Sequence, residues 1–210
     1  MIDSGVLFNR ELHVFRSPDI IKVVRHAIDF LLKSPVYKLP PGVQFEGAGV
    51  YSIYYKGTFG QYTGLAAANQ VSIELPVYVG KAVPPGWRQA RKTEMSATSL
   101  CNRLKEHARS IESVNNLLVD DFVCRFMILD GQESNLISTV ESELIRRFTP
   151  LWNSVIDGFG NHDPGSGRYN QSPSEWDILH PGRKWASKLT GKPPSIDQII
   201  LKIRHATSSL

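Results

Sequence analysis

The sequence predicts an α+β fold, one small sheet of three strands with helices packed against it. Residues 49–57, 73–80 and 121–129 are short runs dense in Val, Ile, Tyr and Phe, the composition of buried strands. Three longer stretches, 18–33, 98–112 and 134–148, repeat apolar residues at the 3.6 period of a helix. Their order along the chain is helix, strand, strand, helix, strand, helix, which is that of a small α+β layer.

Each element has a local cause. Ser17-Pro18-Asp19 opens the first helix, because Ser caps well and Pro suits the first helical position, and Ile20, Ile21, Val24, Ile28 and Leu31 recur on one face. Leu39-Pro40-Pro41-Gly42 breaks that pattern and leads into the strand beginning at Gly49. A turn-rich, charged loop from Lys81 to Ser96, with Pro84-Pro85-Gly86, separates the second strand from the second helix. Pro150 ends the last of the three helices, and an irregular tail follows from residue 154. In that tail Trp176, Trp185 and the apolar run Ile199–Ile203 predict that it folds back onto the body.

A chain of 210 residues, 41% of them hydrophobic, is enough for one core, so the expectation is a single domain. It divides into an arm and helix over 1–44, a core over 45–153 and an extension over 154–210. The net charge of +4 decides little, but its distribution matters. Lys81, Arg88, Arg91, Lys92, Arg103, Lys105 and Arg109 stand against Glu94 and Glu106, a local excess of five positive charges suited either to phosphates or to a solvated face. Cys101 and Cys124 form no CxxC and lie in apolar patterns, so they read as buried thiols, with neither zinc nor a disulfide implied. The start lacks a basic leader with a long apolar run, and no uncharged apolar run approaches the ~20 residues of a bilayer span, so a soluble, cytoplasmic protein is expected.

The helix over 134–148 separates two neighbouring glutamates. At about 100° per residue, Leu136, Ile137, Val140, Leu144, Ile145 and Phe148 cover a half-circle, with Glu141 inside it at about 140° and Glu143 outside at about 340°. Glu143 stands four residues before Arg147, the spacing of an exposed ion pair. A carboxylate on an apolar face must be paired with a cation, be protonated or bind a metal. On the helix over 98–112, Arg103 and His107 lie one turn apart on a shoulder of the apolar stripe, and each taken alone suits a structural role.

Taken together, Gly49-Val-Tyr51, Tyr78-Val-Gly80, Arg103-x-x-x-His107 and the run from Glu141 to Asn153 resemble the GIY-YIG nuclease family. In that family the two tripeptides lie on two strands of a three-stranded antiparallel sheet, an Arg follows on a helix, and a metal-binding Glu precedes a Pro-x-x-Asn ending by nine residues. Here Glu141, Pro150 and Asn153 keep that spacing, while Val50 and Val79 replace Ile without changing shape class. The resemblance extends, over residues 40–188, to the type II restriction endonucleases of the family that cut CCGCGG.

The resemblance implies a metal-dependent endonuclease acting on double-stranded DNA as a homodimer, with no nucleotide cofactor and no membrane partner. It makes Glu141 the ligand of one Mg2+, Arg103 the donor to the scissile phosphate and Tyr51 the general base. A phenol of ordinary pKa is mostly protonated at neutral pH; nearby cations would favour its phenolate, and a neutral His107 would take its proton as water is activated. Tyr78 then orients water or phosphate, and Asn153 ties the site together. Lys81, Arg88, Arg91, Lys92, Arg168, Arg183 and Lys184 are the expected DNA contacts. The rival expectations are a homing or repair nuclease of the same family, and a catalytically silent DNA-binding module.

Overall fold

Strand β2, Gly49–Tyr55, is buried along its whole length, because it is central and helices cover both faces of the sheet. The computed structural model describes residues 7–83, 98–208 and 210. In it β2 pairs antiparallel with β3, Pro76–Ala82, on one side and with β4, Phe122–Ile128, on the other. The register sets Tyr51 opposite Gly80 and Ile53 opposite Tyr78.

The sheet has four strands rather than the expected three. The additional strand, β1, is Tyr37–Lys38, which pairs antiparallel with β4 at Cys124 and Val123 and gives the order β1-β4-β2-β3. Two exposed residues carry no readable alternation. A helix between β2 and β3 is also new. It is α2, Thr63–Val71, whose inward residues are Leu65, Ala66 and Asn69, too small a stripe to announce a helix. Asn69 knits its surroundings, donating to the Tyr55 and Leu75 carbonyls at 3.2 and 2.8 Å and accepting from the Leu75 amide at 3.0 Å.

The period-2 pleat of β2 sorts its residues between two cores. Val50 faces one with Val79 and Met127, covered by α1, Pro18–Lys33, and α4, Ile137–Phe148. Tyr51, Ile53 and Tyr55 face the other, covered by α3, Ser99–Glu112, and by the tail. As expected, the tail folds back: α5, Glu175–Leu179, and α6, Ile196–Thr207, bring Trp176, Ile199 and Ile203 into that core with no exposure. Cys101 and Cys124 are free and buried, and burial pushes the Cys124 thiol up to about 12. Among the described residues no helix is long and apolar enough to cross a membrane.

A polar chain locks the tail to the body. Asn116 donates to the Leu179 carbonyl, so its oxygen accepts from His180 Nδ1 at 2.9 Å. His180 Nε2 is thereby left to accept from the Tyr62 hydroxyl at 2.7 Å, whose oxygen in turn accepts from Trp152 at 2.9 Å. Burial, with the Arg183 cation nearby, lowers the His180 pKa to about 3. The unfolded chain therefore takes up that proton first. Stability is complete above about pH 6.5 and drains away as pH falls toward 3, by on the order of 3 kcal/mol at pH 4.5 from this group alone. Urea denaturation across pH 7 to 4.5 should show this loss, and His180→Gln should flatten the slope by about one proton. An unchanged slope would mean that His180 is charged in the fold.

Candidate active site

Five of the residues expected to carry chemistry converge beside the paired strands β2 and β3. The Tyr51 hydroxyl lies 2.5 Å from His107 Nε2, both side chains buried. His107 was expected at the margin of α3, yet it is 2% exposed, because Phe159 from the tail stacks on its ring at 4.7 Å. Tyr78 meets His107 edge-on at 5.1 Å and Tyr51 at 6.3 Å. Gly80 explains why this geometry is possible: a Cβ there would stand 2.3 Å from the Tyr51 hydroxyl oxygen and 2.5 Å from Cζ, so only glycine lets the ring cross the neighbouring strand. What Gly80 admits is thus a side chain rather than a backbone.

Burial raises the Tyr51 pKa well above the ordinary value, reinforced by Tyr78 and opposed by Arg103. Arg103 does favour the phenolate, as expected of a nearby cation, but burial outweighs the guanidinium and the phenol keeps its proton. Burial likewise holds His107 well below the ordinary range, aided by the Arg103 and Arg183 charges. The pair thus rests as a protonated phenol donating to a neutral imidazole. Burial raises the Tyr78 phenol too, and Glu141 adds to it against Arg103.

Arg103 is held by Glu106 at 2.8 Å, by His162 Nε2 at 2.7 Å and by the Gly160 carbonyl at 3.3 Å. Asn153 sits in a single π turn, Leu151–Val155, and both donates to and accepts from the Val79 backbone at 2.8 Å. It thereby clamps the open edge of β3 between Tyr78 and Gly80. Glu141, on the half-buried side of α4, pairs with Lys81 Nζ at 2.6 Å. Of the three expected resolutions for Glu141, the structure shows pairing with a cation, and that cation is Lys81. Glu143 pairs with Arg146 rather than with Arg147.

The expected DNA contacts divide. Lys81 faces Glu141, Lys184 is exposed on the rim of a cleft of about 340 Å3 that opens beside Arg103, and Arg168 is exposed. Arg88, Arg91 and Lys92 lie outside the described residues. Arg183 is corrected. It is 4% exposed, pairs with Asp177 at 2.6 Å, donates to the Gly158, Phe159 and Asn161 carbonyls, and lies between the Trp176 and Trp185 rings, so it braces the 158–161 loop instead of reaching a duplex. That loop supplies Phe159 and Gly160, and His162 follows it, all three of which sequence reasoning missed. The signal was Gly158-Phe159-Gly160, an aromatic between two glycines in a stretch read only as irregular.

The donor set suits a magnesium ion in kind. Among the described residues no three His, Cys, Asp or Glu side chains cluster to enclose a metal, and the one carboxylate facing both phenols is Glu141. Magnesium keeps several waters and takes one or two carboxylates plus phosphate oxygen, which one glutamate beside a substrate groove can satisfy. Lys81 Nζ, a cation against that carboxylate, marks the place as one that receives positive charge.

Two tyrosines on antiparallel β2 and β3, an arginine and a histidine on α3 and a glutamate on α4 are the arrangement of a GIY-YIG nuclease domain. Residues 43–207 match the family model described as the Eco29kI GIY-YIG domain, and the chain belongs to that family, a family of restriction endonucleases. Its class is therefore a DNA-cleaving hydrolase, and GIY-YIG nucleases are generally dependent on a divalent metal. No curated protein matches the chain.

Gly80→Ala is expected to cost about 1–3 kcal/mol of stability by overpacking, and to reduce DNA cleavage more than stability alone accounts for by displacing the Tyr51 ring. Urea denaturation and single-turnover cleavage of the variant check both. Parental cleavage would show that the ring needs no such clearance.

Proposed function

We propose that the protein is a type II restriction endonuclease that uses magnesium to hydrolyse phosphodiester bonds in both strands of a GC-rich palindrome, CCGCGG, as a twofold homodimer in the cytoplasm. The observation that carries the reading is the buried Tyr51–His107 hydrogen bond, in which burial keeps the phenol protonated and the imidazole neutral. Such a pair is poised to pass a proton in one direction. Attacking water gives its proton to the Tyr51 oxygen as the phenolic proton moves to His107 Nε2. The water oxygen bonds to phosphorus and the bond to the 3′ oxygen breaks. The leaving 3′ oxygen takes a proton from solvent water, and His107 returns its proton to solvent, so the products are a 5′ phosphate and a 3′ hydroxyl.

Arg103 offers a planar fork of donors to the scissile phosphate, and Glu106, His162 and the Gly160 carbonyl hold that fork at the cleft. Tyr78, with its ring against His107, orients the water or phosphate. Glu141 would hold one magnesium ion, which supplies charge for the phosphate and the leaving oxygen. Asn153 keeps β3, and with it Tyr78, in register. Lys184 and Arg168 contact the duplex together with Arg88, Arg91 and Lys92, arginine being the usual reader of guanine O6 and N7.

The test is incubation of the purified protein with long duplex DNA, with magnesium or with chelator, followed by sequencing of the ends. Discrete cuts within one GC-rich palindrome that vanish on chelation are the expected result. Ragged ends, or cuts indifferent to chelation, would sink the reading. Binding without any cleavage would leave the silent DNA-binding module in its place.

A further inference from the structure

Lys81 leaves β3 one position past Gly80 and on the opposite face of the sheet. Its register partner is Val50, which packs with α4, so the lysine side chain rises toward α4 and meets Glu141 there. Nζ stands 2.6 Å from Oε2, with the lysine side chain 36% exposed and the glutamate side chain 17% exposed. Among the described residues this ammonium is the one cation in contact with Glu141. The carboxylate is felt at both Tyr51 and Tyr78, so the pair borders the site.

Two cations cannot share that oxygen. Magnesium binds carboxylate oxygen at about 2.0–2.1 Å, inside the space that the ammonium fills. An ammonium that stayed nearby would still repel a divalent ion, and close charges at a partly buried site are weakly screened. The free protein therefore keeps its own counterion where the proposed function places a metal. Lysine suits a temporary post of this kind, because its charge is compact and its four-carbon stem is flexible. A duplex changes the balance: its phosphates offer the ammonium a second anion, and each one neutralised releases counterions.

We propose that Lys81 guards the metal ligand. In the free protein it occupies Glu141, and a DNA phosphate draws it away, so the divalent cation binds well only once a duplex is in place. The inference rests on Glu141 as the metal ligand and deepens that reading by coupling metal to DNA. Coupling of this kind is reciprocal, so metal tightens duplex binding by the factor by which the duplex tightens metal. Lys81 was expected to contact DNA, and the guard gives it both partners in turn. Protein without DNA then carries little metal, and the hydrolytic site assembles on its substrate.

Manganese(II) is the probe, its free concentration read by electron paramagnetic resonance, with no turnover involved. Without DNA, Lys81→Met should bind manganese at least about tenfold more tightly than the parental chain, at unchanged far-ultraviolet circular dichroism. Lys81→Arg, which keeps a cation against Glu141, should stay near the parental affinity, and Glu141→Gln should lose the site in every background. In the Tyr51→Phe background, which slows cleavage, a short duplex at saturating concentration should tighten manganese, and by at least about tenfold less when Lys81 is also replaced by Met. Equal parental and Lys81→Met affinities, with Glu141→Gln still losing the site, would overturn the guard and leave the metal ligand standing. A duplex without effect on manganese affinity would overturn the release by DNA. Manganese binding indifferent to Glu141→Gln would remove the ligand itself, and the guard with it.

Discussion

Glu141→Gln is expected to leave duplex binding near the parental level and to slow cleavage by at least about 10³-fold. The amide keeps the shape of the side chain but brings no charge to a cation, so the loss falls on the chemical step. Binding should persist because Arg103 and the basic rim of the cleft are untouched. Stability should change by no more than about 1 kcal/mol, since the Lys81–Glu141 pair is partly exposed and screened. Single-turnover cleavage of a short duplex with magnesium, fluorescence anisotropy without it, and thermal unfolding separate these terms. Cleavage at the parental rate would remove Glu141 from the site, and collapse of the fold would make its pairing with Lys81 structural.

Tyr51→Phe is expected to reduce the single-turnover rate by about 10²–10⁴-fold, the range of a lost proton-transfer group, again with binding retained. Phenylalanine fills the same space above Gly80, so the ring stays in place. His107 Nε2 loses its partner, however, and an unsatisfied buried acceptor costs about 1–3 kcal/mol. His107→Ala should cost as much activity as Tyr51→Phe, and the double variant little more, because the two act as one relay. The pH profile offers an independent reading. With the histidine held below its ordinary range and the tyrosine above its own, neither titrates between about pH 6.5 and 9, so the pair should add no inflection there. A Tyr51→Phe protein that cuts at the parental rate, or an inflection near pH 7 lost in that variant, would overturn the relay.

Much of this was legible in the chain alone. Helix α1 falls on the predicted 18–33 with Pro18 at its first position as expected, although Ser17 at the N-cap makes no side-chain cap hydrogen bond. Glu141 was separable from Glu143 because angular position on a helix follows from a fixed rise and turn, and those are local properties. The set of Tyr51, Tyr78, Arg103, His107 and Glu141 could be named because its order and spacing resemble those of the GIY-YIG family.

What sequence did not yield depended on contacts between distant segments. Two residues suffice for β1 because β4 supplies the hydrogen-bond partners, and periodicity has no meaning over two positions. His107 was placed at a helix margin and is buried because Phe159, fifty-two residues on, lies over it. Arg183 looked like a DNA contact in a basic tail, and it became a brace because Asp177, two tryptophans and three carbonyls enclose it. The sequence by itself determined which residues are available to the chemistry and which helices and strands carry them. The tertiary structure alone decided their ionisation, because whether a phenol or an imidazole holds a proton depends on how much water the rest of the chain leaves around it.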